Sequence, residues 1–182
     1  FNEDEHVRAD TTKEKLSTLR TVFRPDGTVT AGNASPISDG AAAMLVASDE
    51  ACREHGLKPA AYIKGYSLVG LDPAYMGMGP LKAVDTLLKK QGLTVGDIDL
   101  FEINEAFASQ SVAATRELEI PASKINVNGG AIAIGHPLGA SGARILVTLI
   151  HEMTRRSAHY GVASLCIGGG MGIAMLVENA AI

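Results

Sequence analysis

The nineteen residues Asn126–Arg144, NVNGGAIAIGHPLGASGAR, constrain this chain more than any other stretch. They hold glycines 129, 130, 135, 139 and 142 and a histidine, His136. A short β-like run, Lys124–Val127, leads in, and a long helical pattern, Ser141 to about Arg156, leads out. In such a strand–glycine loop–helix unit the backbone can approach a ligand closely, because glycine has no Cβ to hold it away. His136 precedes Pro137, which biases its backbone toward extended conformations and holds the imidazole on a constrained loop. The loop either grips a phosphate or supports chemistry. No Gly-Lys-Ser/Thr follows the glycines, so a Walker A loop is absent, and GASGA is only a loose echo of a dinucleotide fingerprint.

Around this loop the pattern alternates. Ala61–Val69 reads as a strand; Pro80 opens a helix with Leu81, Val84, Leu87 and Leu88 on one face, closed by Gly92. Ile98–Ile103 reads as a strand, Glu105–Leu118 as a helix and Lys124–Val127 as a strand. In the helix Ser141–Arg156, Ile145, Leu149, Ile150 and Met153 face inward. Val162–Cys166 and Ile173–Val177 are strands joined by IGGGMG. The order βαβαβαββ over residues 59–182 implies an α/β fold: a five-stranded mixed sheet covered by helices and closed by an antiparallel hairpin.

Residues 1–37 are polar and weakly periodic, with turn chemistry at Pro25-Asp26-Gly27 and Gly32-Asn33, and are expected to lie across another surface. Ala41–Ala47 reads as a buried strand, and Ser48 or Asp49 caps a helix ending before Gly56. This strand and helix have no sheet of their own, so residues 1–58 alone are expected to be poorly soluble or disordered.

A net charge of −4 gives no basic excess for nucleic acid, and no apolar run is long enough to span a bilayer. The two cysteines, Cys52 and Cys166, are too few for a disulfide framework, which favours a reducing compartment and hence a cytoplasmic location. The chain opens FNEDEHVRAD, without Met or a signal-peptide pattern, so a processed, truncated or internally started chain is expected. No metal-ligand spacing is present. His6, His55, His151 and His159 sit among polar residues or on helices and read as solvated.

Three strands end in residues that carry chemistry: Asn104 after Ile98–Ile103, His136 after Lys124–Val127, and Cys166 before Gly168-Gly169-Gly170. In α/β sheets, ligand sites gather where loops leave strand ends. Cys166 is either a buried strand cysteine or a nucleophile or acid/base, and the adjacent triglycine offers N–H groups for an oxyanion. His136 is either a structural hydrogen-bonding residue or a base. Asn104 is either a helix N-cap or a group that fixes a water or carbonyl oxygen, and Glu105 favours the first helical turn.

Four stretches together resemble the C-terminal half of thiolases, most closely the acetyl-CoA acetyltransferases: TVTAGNAS (28–35), NEAFA (104–108), INVNGGAIAIGHPLGASGARI (125–145) and CIGGGMGIAM (166–175). The resemblance implies that His136 activates a nucleophilic cysteine and that Cys166 is the second acid/base. It also implies that His136 with a water held by Asn104 stabilises one oxyanion and the Gly168 N–H another. Ser35 would contact the pantetheine arm of coenzyme A near Ala31, Ala106 and Phe107; Leu19, Phe23 and Arg8 match CoA-side positions more loosely; Met76 would border a short acyl chain. The CoA thioester is substrate, and no cofactor is implied.

The chain departs from the family pattern at Pro36, where most such thiolases have glycine, and in lacking the acyl-accepting cysteine of the N-terminal half. Cys52 lies in a charged helical context and does not supply it. The resemblance therefore divides the chain into the tail of a CoA-covering loop domain (1–37), the end of the N-terminal domain (38–58) and a complete C-terminal domain (59–182). The implied partners are acetyl-CoA or acetoacetyl-CoA, the N-terminal half of the same subunit, and further copies in a homodimer or homotetramer. The competing readings are a degradative 3-ketoacyl-CoA thiolase of broader chain length, a non-catalytic thiolase-like domain, and a nucleotide-binding α/β domain.

Overall fold

The computed structural model describes residues 2–182; residue 1, where the first expected segment begins, lies outside the described residues. Strands β1 (Ala61–Gly70), β2 (Leu100–Ile103), β3 (Tyr160–Ile167) and β4 (Met171–Asn179) form one sheet in the order β1-β4-β3-β2. β4 runs antiparallel to both β1 and β3, and β2 runs parallel to β3. The strand alternation sends apolar side chains to both faces, and each face acquires a helix. Ala83, Val84, Leu87 and Leu88 of the helix Gly79–Gln91 bury against Phe101, Ile103, Val162, Ala174 and Leu176. On the opposite face, Ile145, Leu149 and Met153 of the helix Ser141–Arg156 bury against Leu100, Ala163 and Val177.

The helix Gly79–Gln91 reaches the sheet through two glycines. A Cβ at Gly172 would run into the backbone of Gly79, and one at Gly79 would run into the carbonyl oxygen of Met171. The helix N-terminus and β4 thus touch backbone to backbone, a distance no side chain fits between.

The expected fifth strand, Lys124–Val127, is reduced to a single bridge between Ile125 and Phe101. Phe101 N–H donates to Lys124 O (2.8 Å) and Asn126 N–H to Phe101 O (2.9 Å). There the ladder stops, because Asn126 turns to φ +45°. Its side chain takes over: Oδ1 accepts from Ile103 N–H at 2.9 Å and Nδ2 donates to Ile103 O at 2.8 Å. One amide side chain satisfies the backbone pair that a continued strand would have satisfied.

Ala41–Ala47 is not a strand: it is irregular, with Leu45 80% and Val46 71% exposed. A strand needs a neighbour for its N–H and C=O groups, and among the described residues this run has none. The helix after it forms as expected over Asp49–His55, with Ser48 as N-cap and Gly56 closing it in the left-handed region. Other boundaries move, and the strand expected from Ile98 starts at Leu100. The helix expected from Glu105 runs over Ala108–Glu117, and the final hairpin strands extend to Tyr160–Ile167 and Met171–Asn179. Part of the N-terminal segment does lie across another surface: Ala34 bridges to Phe107, Ser35 N–H donates to Ala106 O (3.1 Å) and Ala108 N–H to Asn33 O (2.8 Å).

Candidate active site

Asn104 stands one residue past β2 and is 1% exposed. Its N–H donates to Ser164 O (2.9 Å), and its carbonyl accepts from Gln110 Nε2 (3.3 Å), so its backbone is held from both sides. It is not an N-cap: the following helix begins at Ala108, with Phe107 in the extended cap position. The Asn104 amide Nδ2 lies 3.3 Å from His136 Nε2 and 3.5 Å from Nδ1. Being nearly equidistant from the two nitrogens, it is aligned with neither lone pair and holds the ring without occupying its basic position.

His136 is reached through Gly135, whose φ of +100° requires glycine and whose Cβ position is filled by Ser38. Its Nδ1 is 2.6 Å from Ser141 Oγ, and Ser141 Oγ–H donates to Pro137 O at 3.0 Å. With the serine hydrogen on Pro137 O, Nδ1 donates to Ser141 Oγ, and in that tautomer Nε2 keeps a free lone pair. Burial, helped by the positive charge of Arg144, holds His136 below the ordinary histidine range, so the ring is a neutral base at neutral pH.

Glu105 does more than favour a helix turn. Its carboxylate accepts from Ile132 N–H (3.2 Å) and from Asn126 Nδ2 (3.4 Å), and a Cβ at Gly130 would overlap it. It therefore pins the start of the short helix Ala131–Ile134, which delivers Gly135 and His136.

Cys166 is the penultimate residue of β3. β2 and β3 pair in parallel with Ile103 opposite Ser164, so Asn104 and Cys166 lie past that pair at the same end of neighbouring strands, which run about 4.8 Å apart. Burial pushes the Cys166 thiol up, keeping it protonated at neutral pH. Among the described residues no hydrogen bond joins Cys166 to His136 or Asn104. The His136 imidazole is thus held neutral and the Cys166 thiol protonated, shifts in opposite directions of the kind acid–base chemistry uses.

In the turn after β3, Gly169 and Gly170 adopt φ of +83° and +85°. Gly168 has no such requirement and open space where a side chain would stand. On the other side, Ser35, Ala106 and Phe107 are joined by the backbone contacts above, and the ring of Phe23 meets Phe107 edge-on at 6.2 Å. Leu19 packs on Gly32, Ala31 is exposed, and Met76 lies in the 3₁₀ helix Pro73–Met78, whose Gly77 abuts Gln110. Arg8 is not brought in; it donates to the carbonyls of Glu5 and Val7 in its own segment. A cleft of about 340 Å³ beside Glu105, Val112, Thr115 and Gly129 excludes Asn104, His136 and Cys166 from its lining. His159, read as solvated, is half-exposed but holds Glu178 at 2.9 Å, and Lys64 holds the same carboxylate at 2.8 Å.

Sequence reasoning gave no role to Ser141, Arg144 or Asn126 and too small a one to Glu105. The available signal was position: Ser141 follows His136 by five residues at a helix start, and Glu105 adjoins Asn104.

The family profile described as "Thiolase, C-terminal domain" matches residues 57–179, and that described as "Thiolase, N-terminal domain" matches residues 1–50. The chain belongs to the thiolase family. Over 98% of its length this thiolase chain is 56% identical to the acetyl-CoA acetyltransferase of Chromobacterium violaceum and 54% identical to the human mitochondrial 3-ketoacyl-CoA thiolase, covering 46% and 45% of them. The solved acetyl-CoA acetyltransferase of Bacillus anthracis superposes with a TM-score of 0.92 at 51% identity, covering 97% of this chain and 45% of that one. The fold is that of thiolases, with four strands in the sheet among the described residues where five were expected. The thiolase chain described here spans about half the length of the curated relatives it matches.

One buried acid beneath the site gives a stability prediction. Glu102, 3% exposed on β2, is pushed up to about 7 by burial, against the opposing charge of Arg144, with Glu105 and Glu152 adding to the rise. The folded protein holds this proton more tightly than the unfolded one. The stability it contributes is therefore complete below pH 4.5 and is lost as pH rises from there through about 7. Between pH 5 and 8 this group alone is expected to cost about 2–3 kcal/mol. Denaturant unfolding of Glu102→Gln across that range should lack this component; an unchanged slope would show that Glu102 ionises freely in the fold.

Proposed function

We propose that this chain carries the C-terminal part of a thiolase acyl-transfer site acting on acetoacetyl-CoA and acetyl-CoA. The observation that carries the reading is the end of β2 and β3: a buried amide against a neutral imidazole, with a protonated thiol at the end of the neighbouring strand. In thiolysis a cysteine from an N-terminal half attacks the 3-keto carbon, and its proton passes to His136 Nε2. The C2–C3 bond breaks, leaving an acetyl-enzyme thioester and an acetyl-CoA carbanion. The Cys166 thiol protonates that carbanion at C2; when coenzyme A takes the acyl group, its thiol proton restores Cys166 and His136 returns its proton to the released cysteine. Asn104 and the Gly168 N–H stabilise the oxyanions, and Ser35, Ala31, Ala106, Phe107, Phe23 and Leu19 form the CoA side. Residues 1–37, 38–58 and 59–182 correspond to the loop-domain tail, the end of an N-terminal domain and the C-terminal domain.

The relative named a 3-ketoacyl-CoA thiolase is nearly as similar as the one named an acetyl-CoA acetyltransferase, so a longer acyl chain is the second reading. The test is thiolysis of acetoacetyl-CoA and of a long-chain 3-ketoacyl-CoA by the chain alone and after an N-terminal thiolase half is supplied. Turnover of acetoacetyl-CoA only in the combined protein is expected. Robust turnover by the chain alone, or none in a folded combination, overturns the reading. Faster cleavage of the long-chain substrate selects the second one.

A further inference from the structure

Arg144 occupies the first turn of the helix Ser141–Arg156, behind Asn104 and beside His136. Its Nη2 donates to Asn104 Oδ1 at 3.4 Å, while its Nε and Nη1 are buried with no hydrogen-bond partner. Leaving such donors buried and unpaired destabilises the fold, because their bonds to water are lost and not replaced. An apolar side chain at this position would avoid that cost. The charge is also disfavoured by burial and is offset by the carboxylate of Glu105 and, once it ionises near pH 7, by that of Glu102. A guanidinium in so poor a setting has little to offer the fold.

What it does offer is direction. A guanidinium only donates, so the Asn104 atom facing it must be the carbonyl oxygen. That forces the Asn104 NH2 toward His136, where it lies 3.3 Å from Nε2. The reversed amide would set donor against donor. Ser141 independently fixes the other side of the ring. Both residues flank the histidine on the same helix, so one rigid element meets both the Asn104 amide and His136 Nδ1.

We propose that Arg144 is a positioning residue for acyl transfer, locking the Asn104 amide with its NH2 toward His136. The proposal deepens the acyl-transfer reading and rests on it.

The test uses the chain combined with an N-terminal thiolase half. Arg144→Met should lower kcat for acetoacetyl-CoA thiolysis by about 100-fold, the scale for a misplaced reacting group, with little change in KM. NMR titration should show the His136 midpoint rising, because burial remains but the neighbouring positive charge is gone. Arg144→Lys should return that midpoint toward its original value while recovering only part of kcat, since an ammonium keeps the charge and loses the fork. An unchanged kcat in Arg144→Met overturns the proposal. So does a lower kcat with the His136 midpoint and the Asn104 NH2 resonances unmoved, which is the signature of a merely structural arginine. If Arg144→Met does not fold, Arg144→Lys decides: full kcat overturns the positioning role, and reduced kcat at an unchanged melting temperature supports it. If the unsubstituted combination turns over no thioester, the acyl-transfer reading fails by itself, and the His136 titration still tests the coupling to Arg144.

Discussion

Alanine at position 136 is expected to lower acetoacetyl-CoA thiolysis by the combined protein about 1000-fold, within the range for loss of a positioned general base. The effect should fall on kcat, because the imidazole acts on the proton of the attacking thiol. The melting temperature should move little, since His136 is half-exposed and outside both apolar cores. The pH profile supplies a second check. His136 works as the neutral base, so activity should be lost as pH falls through its depressed pKa, below the ordinary histidine range. Cys166 works protonated in this direction, so activity should be lost as pH rises through its elevated pKa, above the ordinary thiol range. A broad plateau across neutral pH is therefore expected. A variant retaining about a tenth of the rate, or an acid limb at pH 7, would remove His136 from the role of base.

Gly172→Ala is expected to cost about 3 kcal/mol of stability, the upper end for forcing an added carbon into a packed interior. The new Cβ would meet the Cα, C and O of Gly79, and backbone at a helix start has no rotamer to yield with. The helix Gly79–Gln91 would have to lift from β4, loosening Ala83, Val84 and Leu87, all fully buried. For a domain of this size the melting temperature should fall by about 10 °C. Gly168→Ala is the control: with open space and an ordinary φ it should cost less than about 0.5 kcal/mol. Equal melting of Gly172→Ala and the unsubstituted protein would mean that the helix does not dock on β4 as described.

The contrast between these two glycines shows what sequence patterns can and cannot reveal. Both lie in CIGGGMG, and nothing in the letters separates a glycine needed for backbone contact from one facing open space. Periodicity sufficed for the two covering helices, because Val84, Leu87 and Leu88 and then Ile145, Leu149 and Met153 repeat on one face whatever they pack against. It misjudged the two short apolar runs. Ala41–Ala47 has strand composition without a strand beside it, and Lys124–Val127 loses its ladder to the Asn126 side chain.

Asn104, His136 and Cys166 could be singled out as candidates because unusual residues at strand ends or in glycine-rich loops stand out along the chain. The sequence by itself determined the local ingredients: which segments turn, which faces are apolar, and which side chains can exchange protons. Only the tertiary structure decided that Arg144 meets the Asn104 amide oxygen, that Ser141 meets His136 Nδ1, and that burial moves His136 down and Cys166 up. Those properties depend on distance and on exclusion of water between residues far apart in the chain, and neither quantity is written in the order of the amino acids.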